Sequence, residues 1–410
     1  MNKAFILFIT FVTLLHVKLQ AQTFNNYREV DGLISNFVNC IAIDAYDNVW
    51  FGTKDGISFF DGTSWTNFDQ LSHPDLVDNN VLALDVDSDN NLWVGTDFGV
   101  SKFDGINWTT YKEADGLADD RIKYINHSDD GRIWFANNDG ISILDGTTWT
   151  SYVIADGIPF GGINFVTFDT DGKAWLGTPL AGIYIFDGVS FSEITENEGL
   201  LSNKVRSIAI TSENTKWIGT ADGISVFDTN NNFVEHHELI FELPPPHVLN
   251  PVEDVKIDLA GRIWIGVYID YLVTEGGIST YDNSEWTDYN VSDGLVGPVV
   301  RRIAIDSENT VWVVTSSGVS SIGDFPTSNF NVEIQNRILA YPNPAGTIVN
   351  FEIPIELIGS EFEIFNNIGV LLQKGTIKRE NEIIDLNYMP NGIYFISIDC
   401  IYTKKVIVMR

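Results

Sequence analysis

Two cysteines in 410 residues, Cys40 and Cys400, are too few for a disulfide scaffold. They stand near opposite ends, and both read as small buried hydrophobes. Positive charge is scarce too: 24 Lys and Arg face 56 Asp and Glu, a formal charge of −32. Nucleic acid and anionic membrane surfaces require clustered Lys and Arg, so neither is an expected partner. Beyond the N-terminus no apolar run reaches the roughly 18 residues of a membrane-spanning helix. The G-x-S-x-G, H-E-x-x-H and P-loop patterns are all missing. Carboxylates are so abundant that no pair can be singled out as a glycosidase dyad.

What is present begins with residues 1–21, which read as a secretory signal peptide. Lys3 gives the basic start, "AFILFITFVTLL" the apolar stretch and "LQA" the cleavage site at Ala21. Losing Lys3 and Lys18 with it would take the formal charge from −32 to −34.

A repeat then fills most of the chain. Its marker is a Trp in a short apolar run: Trp50, Trp93, Trp134, Trp175, Trp217, Trp264 and Trp312, spaced 43, 41, 41, 42, 47 and 48 residues apart. The copy "VNCIAIDAYDNVWFGTKDGISFFDGTSWTNF" divides into four short strands at its Asp-, Asn- and Gly-rich turns. No segment keeps helical periodicity long enough to compete. Four antiparallel strands repeated every 40–45 residues or so predict a β-propeller. The seventh copy lacks a fourth strand, whereas "FNNY" at Phe24–Tyr27 is a fourth strand with nothing before it. Joining the two closes a ring of seven blades, with Trp65, Trp108, Trp149, Phe191, Phe233, Trp286 and Phe24 as equivalent aromatics. The expected fold is all-β: a seven-bladed propeller over residues 22–325, closed by an N-terminal strand, then a linker (326–336) and a small C-terminal β-sandwich (337–410).

The copy "GLISNFVNCIAIDAYDNVWFGTKDGISFFDG" resembles the two-component regulator propeller repeat, and the resemblance covers roughly residues 23–325. "GL", "W-x-G-T" and "D-G-I/V" recur. Departures are Ala136-Asn137, Val267 and Val314. The family implies an extracytoplasmic sensor or a free-standing secreted propeller. With no kinase and no later span, the chain is not expected to signal inward itself.

The C-terminal motifs Tyr341-Pro342-Asn343-Pro344, Asn366-Asn367-Ile368-Gly369, Asn391-Gly392-Ile393-Tyr394 and the basic Lys404-Lys405 resemble the type A sorting domain of type IX secretion. That resemblance implies the type IX machinery as a partner. It also implies export to the medium or the outer cell surface.

Two features mark a candidate ligand site. Blade six carries two insertions, "ELIFELPPPHVLNP" and "VYIDYLVTEGG", which bring His247, Tyr268 and Tyr271 to one face. These residues could stack on a sugar or cap a peptide. The second feature flanks the leading Val or Ile of each first strand. Residues on either side of it should point the same way, and there Arg121, Lys123, Lys204, Arg206 and Arg301 gather in an otherwise acidic chain. They would ring a channel mouth. Asp85, Asp87 and Asp89 resemble the start of a Ca²⁺ loop but lack its Gly and distant Glu. His236-His237-Glu238 resembles a metal pair, although neighbours in a strand point apart. No cofactor is expected.

The leading expectation is a non-enzymatic, monomeric, exported propeller that binds an extracellular glycan or peptide. The alternatives are a lyase resembling the streptogramin lyases and a purely structural surface or matrix protein.

Overall fold

The computed structural model describes residues 23–238, 251–268, 276–282, 285–323, 338–341, 343, 345–353, 357–366, 371–379, 381–398, 402–408 and 410. The signal-peptide and linker segments lie outside them. The chain divides into two compact units, Met1–Asp324 and Phe325–Arg410.

The first unit holds seven four-stranded antiparallel sheets, the blades of the propeller. Blade one is typical. Val38–Ile43 pairs with Val49–Thr53, that strand with Ile57–Phe60, and that with Trp65–Phe68. The first strands of the later blades are Ala83–Val86, Ile122–His127, Phe165–Phe168, Val205–Ile210, Val252–Ile257 and Val300–Ile305. Each second strand for which a full burial pattern is described is buried throughout, as its unbroken apolar run requires.

The repeated turns have specific causes. Burying an indole also buries its N–H, which needs an acceptor. Trp93, Trp175, Trp264 and Trp312 donate to the carboxylates of Asp87, Asp169, Asp258 and Asp306, at 2.8–3.1 Å. In each turn the other carboxylate oxygen accepts backbone N–H groups, so one Asp holds both the turn and the Trp. In blade three Ser128 takes this role, 3.3 Å from Trp134. The Gly of "W-x-G-T" lies against the next blade, and a Cβ on Gly95 would come within 2.6 Å of Ile122. The following Thr caps the turn into the third strand, as in Thr53 Oγ1 to Gly56 O, 2.8 Å. In blade three Asn137 substitutes for it, accepting from Gly140 N–H at 2.8 Å.

The ring closes as the repeat demands. Thr23–Tyr27 pairs with Gly318–Gly323, with Phe24 opposite Ile322 and Tyr27 opposite Val319. Phe24 meets Gly294 as Trp65 meets Gly32: in both places a Cβ on the glycine would strike the ring. Tyr27 stacks on Trp312 at 5.9 Å, and Asn26 bonds both Ser320 (2.7 Å) and Gly294 O (2.9 Å). The fourth strand of blade five is shifted. A bulge between Val226 and Phe227 puts His237, not His236, opposite Ile224, where Phe68 or Tyr111 stands elsewhere.

The second unit is a sandwich. A sheet of Leu339–Tyr341, Ile348–Glu352 and Asn381–Asp385 accompanies one of Leu371–Thr376, Glu361–Asn366, Gly392–Ile398 and Tyr402–Val408. Val349, Phe351, Ile364, Ile384, Ile396 and Val406 fill its core. Asn391 and Tyr394 serve the backbone: Asn391 Oδ1 accepts from Arg410 N–H at 3.0 Å, and Tyr394 OH donates to Pro390 O at 2.7 Å.

Candidate functional site

The site follows from a backbone irregularity. In blades one, three, five, six and seven the first strand shifts register just after its leading residue. The unpaired residues are Asn39, Lys123, Arg206, Glu253 and Arg301. A bulge re-aims a side chain, and here it turns one residue per blade inward. Leu82 and Asn164 occupy the matching places in blades two and four, their N–H groups 2.8 Å from Gly95 O and Gly177 O. All seven line one cavity of about 460 Å³, together with Arg121 and Arg302. Five cations thus face a single carboxylate.

Each cation has a defined setting. Arg206 forms an ion pair with Glu253 in the neighbouring blade. Lys123 Nζ donates to Gly161 O at 2.8 Å. Burial, then the charge of Arg121, pushes the Lys123 ammonium below its ordinary range. Arg121 pairs with Asp97 at 2.9 Å on the rim. The Arg301 guanidinium lies 4.9 Å from the centre of the Phe37 ring, and Arg302 lies 5.7 Å from that of Tyr124. Arg302 also donates to the carbonyls of Arg301 (3.0 Å) and Glu253 (3.4 Å).

The expected basic ring therefore exists, but its membership changes. Arg121, Lys123, Arg206 and Arg301 come together. Lys204 does not: it is exposed, its carbonyl accepting from Ala221 N–H, and it is not among the lining residues. Arg121, at the same place in blade three, does line the cavity, so this position alone does not decide the matter. Sequence reasoning missed Arg302, two residues beyond the leading Val300. Its equivalents are Cys40, Ala83, Tyr124, Phe165, Ser207 and Asp254, which share no residue type, so nothing in the repeat marks this place as facing the channel.

His247 and Tyr271 lie outside the described residues, and of Tyr268 only the strand position at the end of Ile263–Tyr268 is described. Both insertions leave the fold beside the mouth, since Val252 pairs with Val267 and Tyr268 with Gly276.

The other candidates resolve into packing. The Asp87 carboxylate is held by Asn91 and Trp93, while that of Asp85 meets His127, so two of the three carboxylates of the calcium-loop pattern serve different partners. His236 Nε2 contacts Gly199 O at 2.8 Å, and His237 stacks on Trp217. Among the described residues no cluster of three or more His, Cys, Asp or Glu could hold a metal. Cys40 is a buried free thiol, pushed up to about 12 by desolvation, and so unreactive at neutral pH. No described helix is long and apolar enough to cross a membrane.

Comparison with known proteins agrees with this architecture. Residues 32–55 and 75–98 match the two component regulator propeller family. Residues 339–409 match the secretion system C-terminal sorting domain. The beta-agarase A of Zobellia galactanivorans is 27% identical over 127 residues, which is 29% of this chain and 23% of that enzyme. Among solved structures, the extracellular domain of a hybrid two component system from B. thetaiotaomicron gives a TM-score of 0.62 at 18% identity, covering 95% of this chain and 55% of that one. PorZ, a surface component of the type-IX secretion system of Porphyromonas gingivalis, gives 0.57 at 16%, covering 92% and 60%. The virginiamycin B lyase of Staphylococcus aureus, solved with quinupristin, gives 0.58 at 14%, covering 74% and 99%. The chain thus spans about a quarter of the agarase and just over half of the first two structures. At these identities the structural likenesses establish the fold alone. The sorting domain implies export, to the cell surface or the medium. The chain carries a seven-bladed propeller, two stretches of which match the two component regulator propeller family, and a stretch that matches the secretion system C-terminal sorting domain.

Proposed function

We propose that the exported propeller is a binding protein whose channel mouth takes an anionic glycan, one bearing carboxylate or sulfate groups. The observation that carries this reading is the inward ring: one inward residue per blade, bulge-aimed in five of them, with five cations against one carboxylate, in a chain of net charge −32. A low-dielectric cleft focuses the field of such a cluster. Arg presents a planar fork that matches carboxylate and sulfate geometry. Binding is favoured over catalysis because the lining offers cations and amides, while its one carboxylate, Glu253, is engaged by Arg206.

Titration with a dextran sulfate oligosaccharide, and with unsulfated dextran of the same length, tests the reading. Saturable, salt-sensitive binding of the sulfated probe alone supports it. Equal binding of both probes, or of neither, removes it. Preference for a poly-glutamate peptide over the sulfated sugar would make the ligand an acidic peptide.

A further inference from the structure

The far ends of the same first strands enclose a second cavity of about 470 Å³, a size typical of small-molecule sites. Its walls are two-sided. Blades one, five, six and seven contribute Ile43, Ile210, Ile257 and Ile305, with small Ala209 and Ala304 between them. Blades two to four contribute a polar arc of Asp85, Asn126, His127 and Thr167. Asn126 is committed to the fold: its amide donates to Val166 O, and its carbonyl oxygen accepts from His127 N–H, both at 3.0 Å. His127 is poised differently. Its Nδ1 lies 2.8 Å from Asp85 Oδ2, which leaves Nε2 as the nitrogen for a guest.

The floor carries charge. Lys256 lines this cavity and the narrow neck above it, as does Tyr124. Asp254 is fully buried beneath, its two oxygens accepting from Ser207 Oγ and Val255 N and from Ile303 N. Arg302 lines the neck as well. Two cations thus share the Asp254 carboxylate, which already accepts three hydrogen bonds, while the other carboxylate of the lining, Asp85, is held by His127. The floor has positive charge to offer, and the isoleucine arc sets hydrocarbon beside it.

We propose that this cavity is a second binding site, independent of the mouth, for a small amphipathic anion. The guest is an aliphatic carboxylic acid, with its carboxylate at Lys256 and His127 Nε2 and its hydrocarbon against the isoleucine arc. Apolar walls with a few convergent polar groups suit such a guest. Buried donors aimed at an anion make the charge selective, because an uncharged analogue leaves them unmatched.

The test is a ligand-observed NMR titration of the full chain with hexanoate, octanoate and octanol. Octanoate should bind saturably. Each added methylene should tighten binding about three- to fourfold, the transfer value for buried CH₂. Octanol should bind about tenfold more weakly, the usual loss when a charge-assisted hydrogen bond becomes a neutral one. Ala304→Phe, which fills the apolar arc, should abolish octanoate binding. His127→Gln should weaken it several-fold while leaving the thermal melt folded and cooperative. Octanol as tight as octanoate would overturn the proposal, and so would the absence of saturation. Arg206→Gln weakening octanoate as much as His127→Gln does would place the acid in the mouth and also overturn it. The wild-type series needs no variant to fold.

Discussion

The two ends of the channel are built from the same seven strands, yet they share almost no chemistry. At the entry, bulges turn Asn39, Lys123, Arg206, Glu253 and Arg301 inward, and the lining is charged. At the exit the strands pair regularly, and the inward positions are mostly Ile, Ala and Val. Between the ends sit Tyr124, Asp254, Lys256 and Arg302. The contrast teaches that the propeller scaffold fixes the position of a site, whereas register decides its character. A one-residue bulge hands the channel to residues that no core requirement constrains. Where there is no bulge, the channel takes the strand's own alternation, apolar in most blades and polar at Asp85, Asn126, His127 and Thr167.

The harshest way to break this comparison is to break the ring itself. Deleting Thr23–Tyr27 removes a paired strand and the packing of Phe24 and Tyr27. That should cost about 3–5 kcal/mol, from two partly buried aromatics and the lost ladder. Both ends should suffer together, since blade seven supplies Arg301 and Arg302 to one and Ile305 to the other. An unchanged denaturation midpoint would show that closure does not depend on the latch.

A sharper cut separates the two ends. Arg206→Gln with Arg301→Gln should weaken a sulfated ligand about 10- to 100-fold at low salt, the worth of one or two charge-assisted contacts. The loss should shrink towards 0.15 M salt as screening sets in. Arg206→Gln also leaves Glu253 unpaired in the mouth, and its carboxylate then repels the sulfate and adds to the loss. Titrations of wild type and double variant at two ionic strengths measure this directly.

The smallest effect uses the two histidines that have opposite environments. His237, buried against Trp217, is held below the ordinary histidine value, mainly by desolvation. Its contribution to stability is present above pH ~6.5 and is lost as pH falls through the folded value. His127 is raised by its hydrogen bond to Asp85. Its contribution is present below pH ~6.5 and is lost as pH rises through the folded value. Relative to wild type, His237→Phe should therefore look better at pH 5 than at pH 8. His127→Gln should look worse at pH 5 than at pH 8. Melting temperatures at the two pH values check both signs, and parallel shifts would contradict them.

Much of the fold was legible because it is repeated. A Trp every 41–48 residues, an Asp six residues before most of them and a stray "FNNY" are enough to count blades and find the closure. The candidate site was legible only in part. Lys123, Arg206 and Arg301 were found because they fall beside a recognisable Val or Ile. Lys204 was grouped with them although its place has different outcomes in different blades: Arg121, its equivalent in blade three, lines the cavity. His237 stands where His236 was expected because of the bulge at Val226, a backbone event with no residue signature of its own. Asp85 and His127 were hidden for another reason. They are 42 residues apart, in different blades, and only closure of the sheet stack brings them to 2.8 Å.

The most direct test of the central claim is to titrate the full chain with a dextran sulfate oligosaccharide beside Arg206→Gln/Arg301→Gln and Lys204→Gln. Lys204 is the control, with the same charge and nearly the same place in sequence but outside the ring. The inward ring predicts about a 10- to 100-fold loss for the double variant at low salt and, at 0.15 M, where charges beyond about 8 Å are screened, a smaller loss that Lys204→Gln does not share. Equal losses would mean that the sugar reads diffuse surface charge and that the bulge-built mouth is not its site.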